Sequence, residues 1–171
     1  IIIKDRIFLE TADEQQKTQS VVCLDRNTGE QLWQKTLFTD NFEKEMHREN
    51  TQASSTLACD GKLVFALFLN DRKIWATALD LEGKQVWQTE VGSFAAKFGY
   101  SASPTLYKSL VLLAADHQQG GFIAALNRAD GAIVWRKPRP EKSSYASPRV
   151  VTLDGKDQLV ICGCKQVSSY D

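Results

Sequence analysis

Three segments of the 171-residue chain repeat one pattern, and this repeat constrains the fold more than any other feature. In each segment a small residue and Leu precede Asp or Asn, a turn containing Gly follows, and a Trp stands four residues after that Gly. The copies are Cys23–Trp33, Ala78–Trp87 and Ala125–Trp135, so the motif recurs about every 50 residues. A period of this size is typical of folds that stack one supersecondary unit after another.

Each repeat also contains the pattern of several short strands. Three apolar runs between turn residues are typical of strands covered on both faces: Leu63–Leu69, Leu110–Ala115 and Leu159–Cys162. Three segments alternate polar and apolar residues, as an outer strand with one wet face does: Glu30–Lys35, Lys84–Thr89 and Ala132–Lys137. Only 42–50 has any helical periodicity longer than a turn or two. The sequence therefore predicts an all-β fold, a β-propeller of four-stranded antiparallel blades.

The repeat divides the chain into about four blades. Their expected bounds are residues 1–38, 53–91, 101–138 and 145–171, and the last blade lacks its outer strand. An open arc would leave exposed sheet edges, which favour aggregation. We therefore expect the chain to be part of a larger ring of seven or eight blades, or to complete a ring by pairing with a second copy as a homodimer.

Composition and charge argue against several classes of protein. Lys and Arg total 21, as do Asp and Glu, so the formal net charge is zero. This balance argues against binding nucleic acid or an anionic membrane through a general electrostatic field. The longest purely apolar run, Leu63–Leu69, is too short to span a membrane. We expect no nucleic acid partner and no membrane span.

The cysteines and histidines do not indicate a metal site. Cys162 and Cys164 are separated by one residue instead of the two of a zinc or redox motif. Neither His47 nor His117 lies near them in sequence. We expect no metal and inert thiols at all four cysteines, namely Cys23, Cys59, Cys162 and Cys164.

No catalytic set is recognisable in the sequence. Three serines recur because the repeat recurs, and no Gly-x-Ser-x-Gly elbow surrounds them: Ser55, Ser103 and Ser147. His47 and His117 have acids nearby, Glu45 and Asp116, but a lone exposed histidine is more often ordinary polar surface. We therefore expect a protein that is not an enzyme.

The repeat resembles that of the pyrroloquinoline-quinone (PQQ)-like β-propellers, a family that includes quinoprotein alcohol dehydrogenases and BamB-like propellers. The resemblance covers essentially the whole chain. In that family the motif Trp packs between blades against the Gly-bearing turn of a neighbouring motif. The resemblance thus implies docking roles for six residues: Trp33, Trp87, Trp135, Gly29, Gly83 and Gly131. The second copy has a turn one residue shorter, with Glu82 where Thr28 stands, so its turn geometry should differ.

Three loops are expected to crowd one rim of the propeller: Phe38–Ser54, Glu90–Ser101 and Pro138–Tyr145. Three shorter connections should share that rim: Glu10–Gln19, Asn70–Lys73 and Asp116–Gly121. The candidate partner-contact residues are His47, Arg48, Phe94, Phe98, Tyr100 and Tyr145. The charge-dense first loop suits a partner contact or a solvated excursion. The aromatic residues suit either a binding platform or a cap on the inner strands.

The resemblance implies a non-catalytic propeller that binds or scaffolds other proteins, holds no cofactor, and is periplasmic or otherwise extracytoplasmic, although no signal peptide opens the sequence. Its partners would be other proteins or the remaining blades of a parent chain.

Two alternatives to this function stay open. One is a fragment of a quinoprotein dehydrogenase, which would hold PQQ with calcium; it is weakened because no two cysteines are adjacent. The other is a ligand-sensing domain of a larger receptor or kinase.

Overall fold

The protein consists of four successive antiparallel sheets. The computed structural model describes residues 1–43, 46–47, 50–95 and 97–171, and no helix occurs among them. The first sheet contains β1 (Ile2–Ile3), β2 (Arg6–Asp13), β3 (Thr18–Asp25) and β4 (Gln31–Thr39). The second contains β5 (Ala58–Cys59), β6 (Leu63–Asn70), β7 (Lys73–Asp80) and β8 (Gln85–Ser93). The third contains β9 (Thr105–Tyr107), β10 (Leu110–Ala115), β11 (Phe122–Asn127) and β12 (Ile133–Pro138), and the fourth contains β13 (Arg149–Leu153), β14 (Lys156–Gly163) and β15 (Gln166–Tyr170).

Each sheet has the strand order of a propeller blade. Strands that follow one another in sequence are neighbours in the sheet, and all pair antiparallel. The first three sheets have four strands and the fourth has three. The prediction of an all-β propeller with about four blades is confirmed, and the sheets are called blades 1 to 4 below.

The core lies between the blades, because the middle strands are apolar on both faces. In β6, Val64, Ala66 and Phe68 pack towards blade 1. The alternate residues Phe65 and Leu67 pack towards blade 3. A further cluster joins blades 3 and 4, so every pair of consecutive blades shares its own buried cluster. Side chains alternate across a strand, and a strand between two neighbours therefore reads as a continuous apolar run.

Two of the repeated Trp residues, Trp33 and Trp87, lie between blades, each over the Gly turn of the following blade. A Cβ atom at Gly83 would lie 2.9 Å from the Trp33 ring, and one at Gly131 would lie 2.5 Å from the Trp87 ring. Only glycine allows this approach, and both glycines have positive φ. The indole N–H of Trp33 donates to the Leu81 carbonyl at 3.0 Å, and that of Trp87 donates to the Arg128 carbonyl at 2.9 Å.

Two members of the predicted docking set have different surroundings. No atom lies within 4 Å of the position that a Cβ at Gly29 would take. Trp135 packs in the cluster between blades 3 and 4, next to Val150 and Tyr170. Among the described residues, therefore, two pairs have a Trp ring on a Gly turn.

The turn in the second motif copy differs from the other two, as the shorter sequence predicted. The Gly29 N–H donates to the Asp25 carbonyl, and the Gly131 N–H donates to the Asn127 carbonyl, both at 2.9 Å. In the second copy the Gly83 N–H donates to the Asp80 carbonyl at 3.1 Å, so its turn closes one residue earlier. The docking of Trp33 tolerates this shorter turn.

A buried carboxyl group lies at the junction of blades 1 and 2. Oε1 of Glu10 accepts a hydrogen bond of 3.1 Å from the backbone N–H of Leu67. Its Oε2 is buried and has no hydrogen-bond partner among the described residues. Burial raises the pKa of Glu10 well above its ordinary value, and the Leu67 N–H offsets this only in part. Glu10 therefore keeps its proton in the folded protein at pH values where an exposed glutamate has lost it.

Replacing Glu10 with glutamine should remove a pH dependence of stability. Because the pKa of Glu10 is raised in the folded protein, this residue contributes most to the free energy of unfolding below its unfolded pKa of about 4.3. The contribution of Glu10 falls as pH rises towards its folded pKa. One such group gives a slope of up to about 1.4 kcal/mol per pH unit. Urea unfolding between pH 4 and 8 should show this loss in the unaltered protein and a flatter profile in Glu10→Gln. If the free energy of unfolding changed with pH in the same way in both proteins, Glu10 would not be the source of this pH dependence.

Candidate functional site

Loops from consecutive blades meet at one end of the protein. The Asp71 N–H donates to the Asn41 carbonyl at 3.1 Å, which joins the β6–β7 turn to the loop after β4. The Phe94 N–H donates to the Arg72 carbonyl at 2.8 Å, which joins the same turn to the loop after β8. The long loops and the short turns thus share one rim, in the arrangement that the repeat predicted.

An open cleft lined by three rings lies on this rim. We call it the aromatic cleft; it has a volume of ≈ 370 Å³, and its lining residues are His47, Asn50, Phe98, Ser101 and Tyr145. The rings of His47 and Phe98 meet edge to face, with centroids 5.3 Å apart. Phe98 and Tyr145 have centroids 6.2 Å apart. The cleft brings together residues of all three long loops.

The Asn50 side chain joins the first two of these loops and hydrogen-bonds within its own loop. The Asn50 side-chain amide donates to the Phe98 carbonyl, and Asn50 Oδ1 accepts from the Thr51 N–H at 2.8 Å. The Tyr145 hydroxyl is buried, and this burial raises the pKa of the hydroxyl. The Tyr145 ring therefore lines the cleft while its polar end points inward.

Of the six candidate contact residues, the aromatic cleft contains three, His47, Phe98 and Tyr145. Phe94 and Tyr100 are buried, so their expected role as surface contacts is corrected. Their rings pack edge to face at 5.3 Å, and the Tyr100 hydroxyl donates to the Ala114 carbonyl at 3.1 Å. They cap the inner strands, whereas Phe98 and Tyr145 face the cleft. Arg48, like Glu45, lies outside the described residues.

A second, polar cleft lies beside the aromatic cleft along the loop after β12. We call it the lysine cleft; it has a volume of ≈ 450 Å³, and its lining residues are Gln118, Glu141, Lys142, Ser143, Ser144, Cys164 and Lys165. Ser144 directly precedes Tyr145 of the aromatic cleft. One loop therefore contributes residues to both clefts.

A buried ion pair supports the loops beneath the lysine cleft. Arg139 Nε donates to Asp116 Oδ1 at 2.5 Å, and Arg139 Nη2 donates to Asp116 Oδ2 at 3.0 Å. Arg139 Nη1 also donates to the Tyr170 hydroxyl at 2.9 Å, which links blade 3 to blade 4. The bonds to Asp116 and Tyr170 keep the pKa of Arg139 raised despite its burial. Such bidentate pairs hold side chains in a defined geometry.

His117 is buried, in contrast to the exposed position expected for it. Its ring packs at 5.2 Å from that of Phe94, and its Nδ1 accepts from the Gln119 N–H at 3.3 Å. Burial lowers the pKa of His117, so it is neutral near pH 7. His117 thus supports the rim loops from below.

The recurring serines join neighbouring blades. Ser103 Oγ accepts from the Thr56 N–H at 2.9 Å, and Ser147 Oγ accepts from the Ser103 N–H at 2.8 Å. The Ser55 hydroxyl donates to the Ala102 carbonyl at 3.1 Å. These contacts give the serines a structural role at the inner strands.

The cysteines are all free thiols. Burial raises the pKa of Cys164, whose Sγ lies 3.1 Å from the Lys142 carbonyl. Within the described ranges, no three His, Cys, Asp or Glu side chains come together as metal ligands.

Sequence reasoning missed several residues of these clefts. Asn50, Lys142 and Lys165 lie in loops or turns, where no periodicity indicates which way a side chain points. Asp116 and Arg139 are 23 residues apart in two different connections. Asp116 follows the apolar run Leu110–Ala115, whereas Arg139 stands among charged residues and prolines, so nothing in the sequence indicated that the two would pair.

Comparison with known proteins supports the fold and the family. A family model described as "Outer membrane protein assembly factor BamB" matches residues 9–171. The protein of that name from Yersinia pestis is 31% identical over 117 residues, which are 67% of this chain and 26% of the relative. The chain thus matches about a quarter of the length of that relative.

Solved structures with a similar fold include two dehydrogenases. Quinohemoprotein alcohol dehydrogenase ADHIIG from Pseudomonas putida HK5 superposes with a TM-score of 0.62 at 15% identity, over 94% of this chain and 30% of that one. Quinohemoprotein alcohol dehydrogenase from Comamonas testosteroni superposes with a TM-score of 0.55 at 19% identity, over 82% of this chain and 24% of that one. At these identities the likeness shows the fold alone. In the described part of the chain, no helix is long and apolar enough to cross a membrane.

Proposed function

Because this chain belongs to the family of the outer membrane protein assembly factor BamB, we propose that it is a non-catalytic module that binds other proteins through its loop-bearing rim. The matched relative is named as an assembly factor. By analogy the module would work outside the cytoplasm, in the assembly of outer membrane proteins.

The observation that carries this proposal is the exposure of Phe98. Every Phe, Tyr and Trp side chain of the protein lies in the described residues, and among these Phe98 is the only one that is exposed, at 41%. Aromatic residues are enriched at the centres of protein interfaces, where burying one contributes about 1.5–3 kcal/mol. Leaving this ring exposed among loops that are otherwise tied together by hydrogen bonds suits a binding surface.

The dehydrogenase and sensor alternatives have less support. The quinohemoprotein dehydrogenases share 15% and 19% identity with this chain, and fold alone does not carry an activity. The family model and the relative at 31% identity both name an assembly factor. Neither comparison favours a sensor domain.

Site-specific photocrosslinking tests the proposed rim. A photoreactive benzoyl-phenylalanine at position 98, in cells that make the protein, is expected to give a discrete adduct with another protein. The ring at this position is already aromatic, so the substitution preserves its apolar character.

Leu32 provides the matched control. It is 48% exposed on the outer strand β4, away from the rim loops. The same reagent at position 32 is expected to give no discrete adduct. Equal adducts at both positions, or none at position 98, would overturn the proposal.

A further inference from the structure

The aromatic cleft has the size and walls to hold one ring from a partner. Its volume of ≈ 370 Å³ falls in the range of about 300–1,000 Å³ that is usual for ligand sites. The Phe98 ring already contacts the His47 ring edge to face and the Tyr145 ring at a tilted angle. Aromatic side chains prefer these same geometries, so a further ring can join the cluster without rearranging it.

Lysine side chains lie close to this cleft. Lys97 Nζ lies 5.6 Å from the centre of the Phe98 ring. The adjoining lysine cleft contributes Lys142 and Lys165, both exposed, against the single acid Glu141. The described part of the rim therefore presents more cations than free carboxylates next to the aromatic cleft.

Three further acids of the rim connections already have partners. Asp116 is paired with Arg139, and Asp40 lies 3.7 Å from Lys17. Glu43 Oε1 accepts from the Arg72 N–H at 2.9 Å. Four residues of the first loop lie outside the part of the chain that the structure describes. Two of them are basic and two are acidic, so they add no net charge.

We propose that this rim binds an extended peptide segment that places an aromatic side chain in the aromatic cleft and an acidic side chain at the lysine cleft. The inference rests on the proposed function, since it specifies the chemistry of the protein partner. Lys142 and Tyr145 are three residues apart, so their Cα atoms are separated by at most about 11 Å. An extended peptide spans that distance in about three residues. The acid should therefore lie within about three residues of the aromatic side chain.

Labelled peptides test this specificity on the unaltered protein. The probe is the heptapeptide SDGFGDS with an N-terminal fluorophore, and binding is measured by fluorescence anisotropy. Two matched peptides isolate the two features: SDGAGDS lacks the ring, and SKGFGKS reverses the charges. We expect each to bind at least about tenfold more weakly than SDGFGDS, as the loss of an interface anchor does.

Protein variants then locate the binding site. Phe98→Ala should weaken SDGFGDS binding about tenfold, whereas Leu32→Ala should not change it. The pair Lys142→Glu and Lys165→Glu should weaken binding about three- to tenfold at low salt, and less as salt is added. The pair Lys62→Glu and Lys84→Glu, in turns outside the rim loops, changes the net charge equally and should have little effect.

The outcomes separate this inference from the proposed function. Equal binding of SDGFGDS and SDGAGDS would overturn the aromatic requirement, and equal binding of SKGFGKS would overturn the acidic one. If position 98 crosslinks to a protein but the peptides show no such preferences, the inference fails and the proposed function stands. If the preferences appear without any crosslinked protein, the proposed function fails and the peptide specificity stands.

Discussion

Replacing Arg139 with methionine is expected to destabilise the protein by about 3–5 kcal/mol, because the Asp116 carboxylate would be left buried without its partner. The two side chains are 0% and 2% exposed. Methionine keeps much of the length of the arginine side chain but cannot donate to Asp116 or to the Tyr170 hydroxyl. Urea unfolding at pH 7 would measure the loss.

Two controls make this expectation specific to the buried pair. Lys73→Met breaks the exposed pair with Glu90 and should cost less than about 1 kcal/mol. Combining Arg139→Met with Asp116→Leu removes both charges and should recover much of the stability, since an apolar replacement of a whole buried pair is often near neutral. If Arg139→Met costs no more than Lys73→Met, the ion pair does not support the loops as described.

Gly131→Ala should have a comparably large effect, about 2–5 kcal/mol in total. An alanine there would adopt the unfavourable φ of +74°, at a cost of about 1–2 kcal/mol. Its Cβ would also lie 2.5 Å from the Trp87 ring and 2.7 Å from Thr89 Oγ1, so the ring would have to move. This second part adds about 1–3 kcal/mol, as overpacking of a core does.

Gly29 offers a control at the equivalent position of the first motif. Its φ is +75°, but no atom lies within 4 Å of the Cβ that an alanine would add. Gly29→Ala should therefore cost only the backbone part, about 1–2 kcal/mol. The difference between the two variants in urea unfolding measures the contact of the Trp ring with the turn. Equal losses would show that the ring moves away without cost.

Much of the fold could be predicted from the sequence because the same motif occurs in three copies along the chain. The apolar run Leu63–Leu69 indicated a strand covered on both faces, and β6 lies between two neighbouring blades. The shorter turn near Glu82 indicated a different closure, and the Gly83 hydrogen bond shows it. The apolar run and the turn length each depend on a few consecutive residues, so the sequence of those residues is enough to predict them.

The rim could be predicted only in part, because loop side chains follow no periodicity. Four aromatic residues suited a platform or a cap, and the structure divides them: Phe94 and Tyr100 are buried, whereas Phe98 and Tyr145 line the cleft. The pairing of Asp116 with Arg139 depends on two connections meeting in space. Spacing along the chain does not indicate such a meeting.

The two apolar faces of β6 have a consequence for strand register. In a strand with one wet face, a slip of one residue turns every apolar side chain towards water, and hydrophobic burial opposes it. In β6 such a slip would only exchange one apolar set for the other. Alignment must therefore come from its polar end, where Asp71 and Arg72 form a two-residue turn with φ of 51° and 56°. There the Asn70 amide donates to Gln19 Oε1 at 3.0 Å and to the Asp40 carbonyl at 2.9 Å, so polar residues at the rim determine how the apolar core pairs.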